Sequence, residues 1–305
     1  MEQEFTFPDG FFMDEYREGY YVSSNMKKVW GVELDLLNQL LNVCRENSIT
    51  IFASGGTMLG AVRHRGFIPW DNDIDMMMFR DDYEKLSRIA SEAFKPPYFF
   101  QTEYTDPGSL RGHAQLRNSE TCGVLKEEFG KYAFNQGIFL DIFPLDNVIP
   151  DNSLFKKQAK KALSHRKKAF FYSKFSSRYI EGNKCIRQTI KRIIHLLFGD
   201  YCLKREIEEY RRFEEWCKKY NDVRTEMVST LSFKFENTQH FKFFNDYKEL
   251  IEVPFEFMTI PIGKNYDHAL TKRYGNYKEA IQGKNDHGEV IFDTEHSYKE
   301  VNGNV

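Results

Sequence analysis

Apolar positions along the chain recur at two spacings, and each change of spacing marks a new element. Val29, Val32, Leu36, Leu37, Leu40, Leu41 and Cys44 fall three and four apart, which predicts an amphipathic helix from about residue 29. The apolar run 49–53 reads as a buried strand. Residues 58–64 have helical composition, with Gly66 placed to end that helix. Residues 73–78 read as a strand. Asp81 and Asp82 suit the first turn of a helix whose inner face is Tyr83, Leu86, Ile89, Ala90 and Phe94, ended by Pro96 and Pro97. Strands are expected at 98–102, 113–117 and 138–143, with a turn at 119–121.

Before the first helix, residues 1–28 read as an irregular aromatic arm packed on the fold. After Pro150 the helical period takes over through about residue 219, in two or three helices. Residues 253–262 alternate like a hairpin, and 266–275 read as a short helix. The pattern predicts an α/β (α+β) protein: a mixed sheet flanked by helices, with an inserted or appended helical region. Three segments are expected: a core at 1–150, a basic helical region at 151–250, and a mixed segment at 251–305 that returns to the core.

With 305 residues, 41% hydrophobic and 29% charged, the chain can bury a full core. Five widely spaced cysteines with no C-x-x-C exclude a disulfide framework or zinc site as the simple reading and suggest a reduced, cytoplasmic chain. The start lacks a basic segment and an apolar core, so no signal peptide is expected, and no run approaches a membrane span. Charge is uneven, however. Residues 156–192 carry thirteen Lys or Arg against the single acid Glu181. That segment is either a solvated face or a surface for anionic phosphates, such as the inner face of a membrane.

The chemistry concentrates in residues 54–79. Ser54, Gly55, Gly56 and Thr57 follow a strand and precede a helix, so unpaired backbone N–H groups and close-approach glycines form a phosphate cradle. Asp73 and Asp75 would share one face of a strand. Two carboxylates so close repel unless a cation lies between them, and hard oxygen ligands favour Mg²⁺ or Mn²⁺. Asp141 sits between Phe139 and Phe143 in an apolar strand, where a carboxylate must be paired or metal-bound. Asp146, just past Pro144, reads as a turn residue.

The run Gly55-Gly-Thr-Met-Leu-Gly-Ala-Val-Arg-His-Arg-Gly-Phe-Ile-Pro-Trp-Asp-Asn-Asp-Ile-Asp75 resembles the signature of the LicD-type phosphorylcholine transferase family. That family has a nucleotidyltransferase fold and includes fukutin-like proteins. Its third carboxylate lies in a strand similar to 137–146, at Asp141. The resemblance covers about 30–145 well and 250–290 loosely, where Asn276 departs from the family pattern. It implies transfer of a phospho-alcohol from CDP-choline or another CDP-alcohol to a glycan or lipid-linked glycan, as in lipopolysaccharide or teichoic acid biosynthesis. Asp73, Asp75 and Asp141 would hold Mg²⁺ or Mn²⁺ and carry catalysis, with Asp141 as general base. Ser54, Gly55, Gly56 and Thr57 would hold donor phosphate.

Arg63 has two readings, a phosphate contact or a salt bridge to an aspartate. Asp71 is either an outer metal ligand or a turn cap, and Trp70 reads as packing before stacking on cytosine or choline. His287 and His296 read as surface or core histidines. Two other functions compete: a nucleotidyltransferase attacking the α-phosphate of an NTP, and a non-catalytic adaptor binding membrane or glycan through 156–192. No nucleic-acid module is recognisable.

Overall fold

The computed structural model describes residues 5–176, 186–233, 235, 241–282 and 289–303, with 186–192 described as backbone only. The aromatic arm forms a small hairpin, β1 (Glu15–Arg17) and β2 (Tyr20–Val22), ahead of helix α1 (Ser24–Glu46). Helix α1 starts earlier than its apolar period implied because Ser23 caps it, accepting from the Met26 N–H. Phe5, Phe7 and Phe11 pack against Phe257, with Phe12 beside Phe7 and Phe11, which pins the arm to the body.

Then follow β3 (Phe52–Ala53), α2 (Gly55–His64), β4 (Asp75–Phe79), α3 (Arg80–Ala93), β5 (Tyr98–Gln101), β6 (Ala114–Asn118), β7 (Cys122–Leu125) and β8 (Ile138–Asn147). Among the described residues the main sheet runs β10 (Lys242–Phe243), β9 (Met227–Ser229), β8, β4, β3, β12 (Met258–Gly263), β11 (Leu250–Phe255), with β6 and β5 joining through β8. Strand β4 is parallel to β8, and β12 is parallel to β3; the other pairings in this sheet are antiparallel. The 250–263 hairpin thus enters the same sheet as the N-terminal half. Helix α6 (Tyr266–Tyr274) follows it, and β13 (Val290–Asp293) pairs with β7 beside α7 (Tyr298–Gly303). The fold is a mixed α/β sheet flanked by helices.

The helical region is an insertion. Helices α4 (Asn152–Ser173) and α5 (Ile186–Cys217) leave the sheet after β8 and return at β9, its neighbour. A second core, in which Ala162, Tyr210 and Phe213 meet Leu110, Val148 and Leu231, holds the pair together and against the sheet, and Gln158 on α4 donates to the Trp216 carbonyl on α5.

Three local readings change. Helix α2 begins at Gly55 rather than at residue 58, so both glycines lie in its first turn. Its left-handed C-cap is Arg65, not Gly66; Gly66 is needed for space, since a Cβ there would stand 2.1 Å from Glu256 Oε1. Strand β4 begins at Asp75, where its pairing with β8 starts at Asp141, while the two residues of β3 pair with Met76 and Met77. Asp73 therefore lies in the lead-in loop, and strand alternation does not place it.

Strand β8 continues through Pro144 to Asn147, in register with β4 as far as Phe79–Leu145. Asp146 is consequently no turn residue. It is fully buried and takes a two-pronged contact from Arg80, Nε to Oδ1 at 2.8 Å and Nη2 to Oδ2 at 2.7 Å. Asn221 adds a bond to the same carboxylate, and Arg80 Nη1 reaches Glu214 on α5. Cutting one partner out of such a pair strands the other charge in the interior. Arg80→Met is therefore expected to lower stability by about 3–5 kcal/mol, read from urea unfolding midpoints. A loss within experimental error would show that the pair does not tie α3 and α5 to the sheet.

Candidate active site

The sheet register sets the first line of the site. Gln115 on β6 is opposite Asp141 on β8, which is opposite Asp75 on β4. Three neighbouring strands thus carry an amide and two carboxylates side by side. The Gln115 amide Nε2 donates to Asp141 Oδ1 at 2.6 Å, and His113 Nε2 lies 3.1 Å from the same oxygen. The Gln115 carbonyl oxygen accepts from Arg117, a buried cation that also bonds Gln101 and the Gly137 carbonyl. Arg117 thereby fixes which end of the amide faces Asp141. Burial pushes the Arg117 guanidinium down to about 9, an effect increased by Arg111 and opposed by Asp141.

Helix α2 meets this row with its N-terminus. Ser54 is its N-cap, and the Ser54 N–H donates to the Asp75 carbonyl. Thr57 Oγ1 accepts from the Asp75 N–H at 2.7 Å, so its hydroxyl anchors the start of β4. Gly55 has φ +60°, and a Cβ there would come within 3.2 Å of Asp75 Oδ2; one at Gly56 would come within 2.7 Å of Asp71 Oδ2. The glycines leave the space that these two carboxylates occupy against the positive end of the helix. The loop before β4 is clamped from α1: Trp30 Nε1 donates to the Asp71 carbonyl, and the Trp30 ring stacks on Phe67 at 4.5 Å.

Sequence reasoning missed Glu33. It lies on α1 among the helix's buried positions, and its Oε2 has no hydrogen-bond partner among the described residues. Burial raises its carboxyl well above the usual range, and the charges of Asp73, Asp71 and Asp141 raise it further. Those three aspartates thus lie within electrostatic reach of one buried acid, with Asp75 beside Asp141. An all-carboxylate donor set suits a hard divalent cation. Among the described residues, however, no three His, Cys, Asp or Glu side chains stand close enough to form a ready-made cage.

A basic side of the cleft was also missed. Ser54, Gly55 and Met58 line a pocket with three cations, Lys242, Lys272 and Arg273, one acid, Asp246, and Tyr247. These residues come from β10 and α6 and their flanks, near 190–220 positions away along the chain, so no local motif joins them to the glycines. Arg273 and Lys242 both lie within electrostatic reach of Asp75. Arg63 is elsewhere. Its guanidinium donates to the carbonyls of Tyr277 and Glu279, at 3.2 Å each, rather than to an aspartate. Trp70 packs edge-on against Tyr20 and His64, and Asp71 Oδ1 accepts from the Asn72 N–H as a turn cap would. His296 is exposed and paired with Asp293; His287 lies outside the described residues.

Three relationships to known proteins bear on this geometry. The model of the family described as LicD/FKTN/FKRP, nucleotidyltransferase domain, matches residues 48–182. The chain is 24% identical over 248 residues to the lipopolysaccharide cholinephosphotransferase LicD of Haemophilus influenzae, covering 80% of this chain and 88% of that protein. An uncharacterized protein of Rickettsia prowazekii is 34% identical over 142 residues, covering 47% of this chain and 50% of that one.

Lys242 supplies a test of the basic side. Burial, then Arg273, pushes its ammonium from 10.5 down to about 7, with Asp75 opposing and Lys272 adding to the fall. A base with a depressed folded pKa favours folding only when it is neutral. Its penalty is absent above about 10.5, grows as pH falls toward 7, and is constant below. Lys242→Met should thus stabilise the free protein at pH 7, by on the order of 1–3 kcal/mol. The gain should shrink toward pH 10 in unfolding curves. A variant that is equally or less stable at pH 7 would contradict the strained cation.

Proposed function

We propose that this chain, a member of the LicD-type family, transfers phosphocholine or a related phospho-alcohol from a CDP-linked donor to a hydroxyl of a cell-surface glycan or its lipid-linked precursor. The reading rests on one observation above all: Asp75 and Asp141 are register partners beside the N-terminus of α2. The Haemophilus relative, named as a lipopolysaccharide cholinephosphotransferase, aligns over most of its length and supports the choice of group.

Donor phosphates would lie between the α2 N-terminus and the cations Lys242, Lys272 and Arg273, which neutralise and orient them. Asp73, Asp75 and Asp141 would hold Mg²⁺ or Mn²⁺, which supplies charge neutralisation at the phosphates. The acceptor oxygen forms its bond to the distal phosphorus as the bond from that phosphorus to the CMP oxygen breaks. Asp141, held by Gln115 at 2.6 Å, accepts the acceptor's proton as general base, and CMP leaves with the bonding electrons.

The test is a screen of CDP-alcohols with a glycan acceptor, read as CMP release with and without Mg²⁺. Asp73→Asn and Asp75→Asn are expected to lose activity by roughly three orders of magnitude or more while keeping the thermal unfolding profile of the parent. Near-normal turnover in either variant would overturn the carboxylate assignment. Release of pyrophosphate from an NTP, in place of CMP, would identify a nucleotidyltransferase.

A further inference from the structure

The α4–α5 insertion has two unlike ends. At the sheet end Lys156, Lys157, Lys160 and Lys161 are exposed in the first turns of α4. The 22 residues of α4 then rise about 33 Å away from that end. At the far end, Phe171 is exposed on α4, and Leu196 and Leu197 are 81% and 70% exposed on α5, with Phe198 and Tyr201 exposed beside them. Tyr172 and Tyr201 meet ring to ring at 6.4 Å, and His195 Nδ1 lies 3.4 Å from the Phe175 carbonyl. The apolar side chains of both helices therefore belong to one end of the hairpin. Exposed apolar side chains grouped at one end of a hairpin mark a place of contact.

Its surroundings identify the occupant. Lys167, Lys168 and Lys174 are exposed one turn to either side of Phe171. A second copy of the chain docking through the same patch would set these lysines against their own equivalents. An anionic bilayer accepts both features, because aromatic and leucine side chains enter the headgroup–acyl boundary while lysines stay with the lipid phosphates. No helix among the described residues is long and apolar enough to cross a membrane, so the mode is lying on the surface.

We propose that the far end of the α4–α5 hairpin docks on an anionic lipid bilayer through Phe171, Leu196, Leu197 and Tyr201, flanked by Lys167 and Lys174. The sequence alone pointed to charge spread over 156–192. The structure places the apolar part at one end of that segment and leaves the lysines of the first α4 turns at the other. The arginines and lysines at 178, 184, 187, 191 and 192 lie where side chains are not described. The inference stands on this surface and not on the transfer reaction.

The test is co-sedimentation with vesicles of mixed phosphatidylglycerol and phosphatidylcholine, and with phosphatidylcholine alone. The parent protein should sediment with the mixed vesicles at low salt. Leu196→Ser with Leu197→Ser should lower the partition about tenfold or more. Lys167→Gln with Lys174→Gln should lower it about tenfold and flatten its salt dependence. All four positions are exposed, so thermal unfolding should be unchanged. A parent protein that stays in solution with mixed vesicles overturns the proposal, as does a Leu variant that sediments like the parent. A lipid-free dimer that dissociates in the Leu variant would also overturn it, and would make this face an interface between copies.

Discussion

Carboxylates gathered in a protein interior repel one another and lose their hydration, and both costs must be met by something fixed in place. Here Asp75 and Asp141 are adjacent by strand register, Asp71 lies against Gly56, and Glu33 feels the charges of Asp73, Asp71 and Asp141. The surrounding elements answer that crowding. The N-terminus of α2 offers partial positive charge to Asp75 and Asp71. Gln115 holds one oxygen of Asp141, with His113 Nε2 3.1 Å from it. Glu33, with the burden of burial and three acidic neighbours, is held toward its neutral form. The arrangement is suited to receiving a cation and a phosphate together.

The rest of the fold keeps these groups from moving apart. Glu256, on the turn between β11 and β12, accepts from Arg17 and from the Phe67 N–H. Phe67 is packed between Trp30 and Phe255, and Trp30 holds the Asp71 carbonyl. The arm, α1, the loop before β4 and the C-terminal hairpin are thus joined around one corner of the cleft. On the other side the Arg80–Asp146 pair binds α3 to β8 and, through Glu214, to α5. The helical insertion is fastened to the sheet at its base, while Phe171, Leu196 and Leu197 toward its far end are exposed.

Much of this was legible in the sequence where one periodicity ran long enough. The apolar face of α1, the 250–263 hairpin and helix α6 follow from spacing alone. Asp141 stood out because a charge in apolar surroundings needs a partner. What escaped was decided by long-range pairing. Strand β8 runs past Pro144 because β4 pairs alongside it as far as Leu145, and this turns Asp146 from a turn residue into half of a buried ion pair. Glu33 looked like one more polar position on an amphipathic helix, since nothing local says that aspartates from the 71–75 loop and from β8 will face it. Lys242 and Arg273 are ordinary basic residues until β10 and α6 bring them beside the α2 N-terminus. Leu197, Phe198 and Tyr201 keep helical period in the sequence, and only their exposure in the structure marks them as surface.

If carboxylate crowding governs the site, and if no cage exists without substrate, then cation and donor must bind as a pair. The measurement is the thermal unfolding midpoint of the protein with Mg²⁺ alone, CDP-choline alone, and both. The account predicts a small shift with either one and a shift larger than their sum with both, lost in Asp141→Asn. Equal stabilisation by CDP-choline with and without Mg²⁺, undiminished in Asp141→Asn, would contradict it.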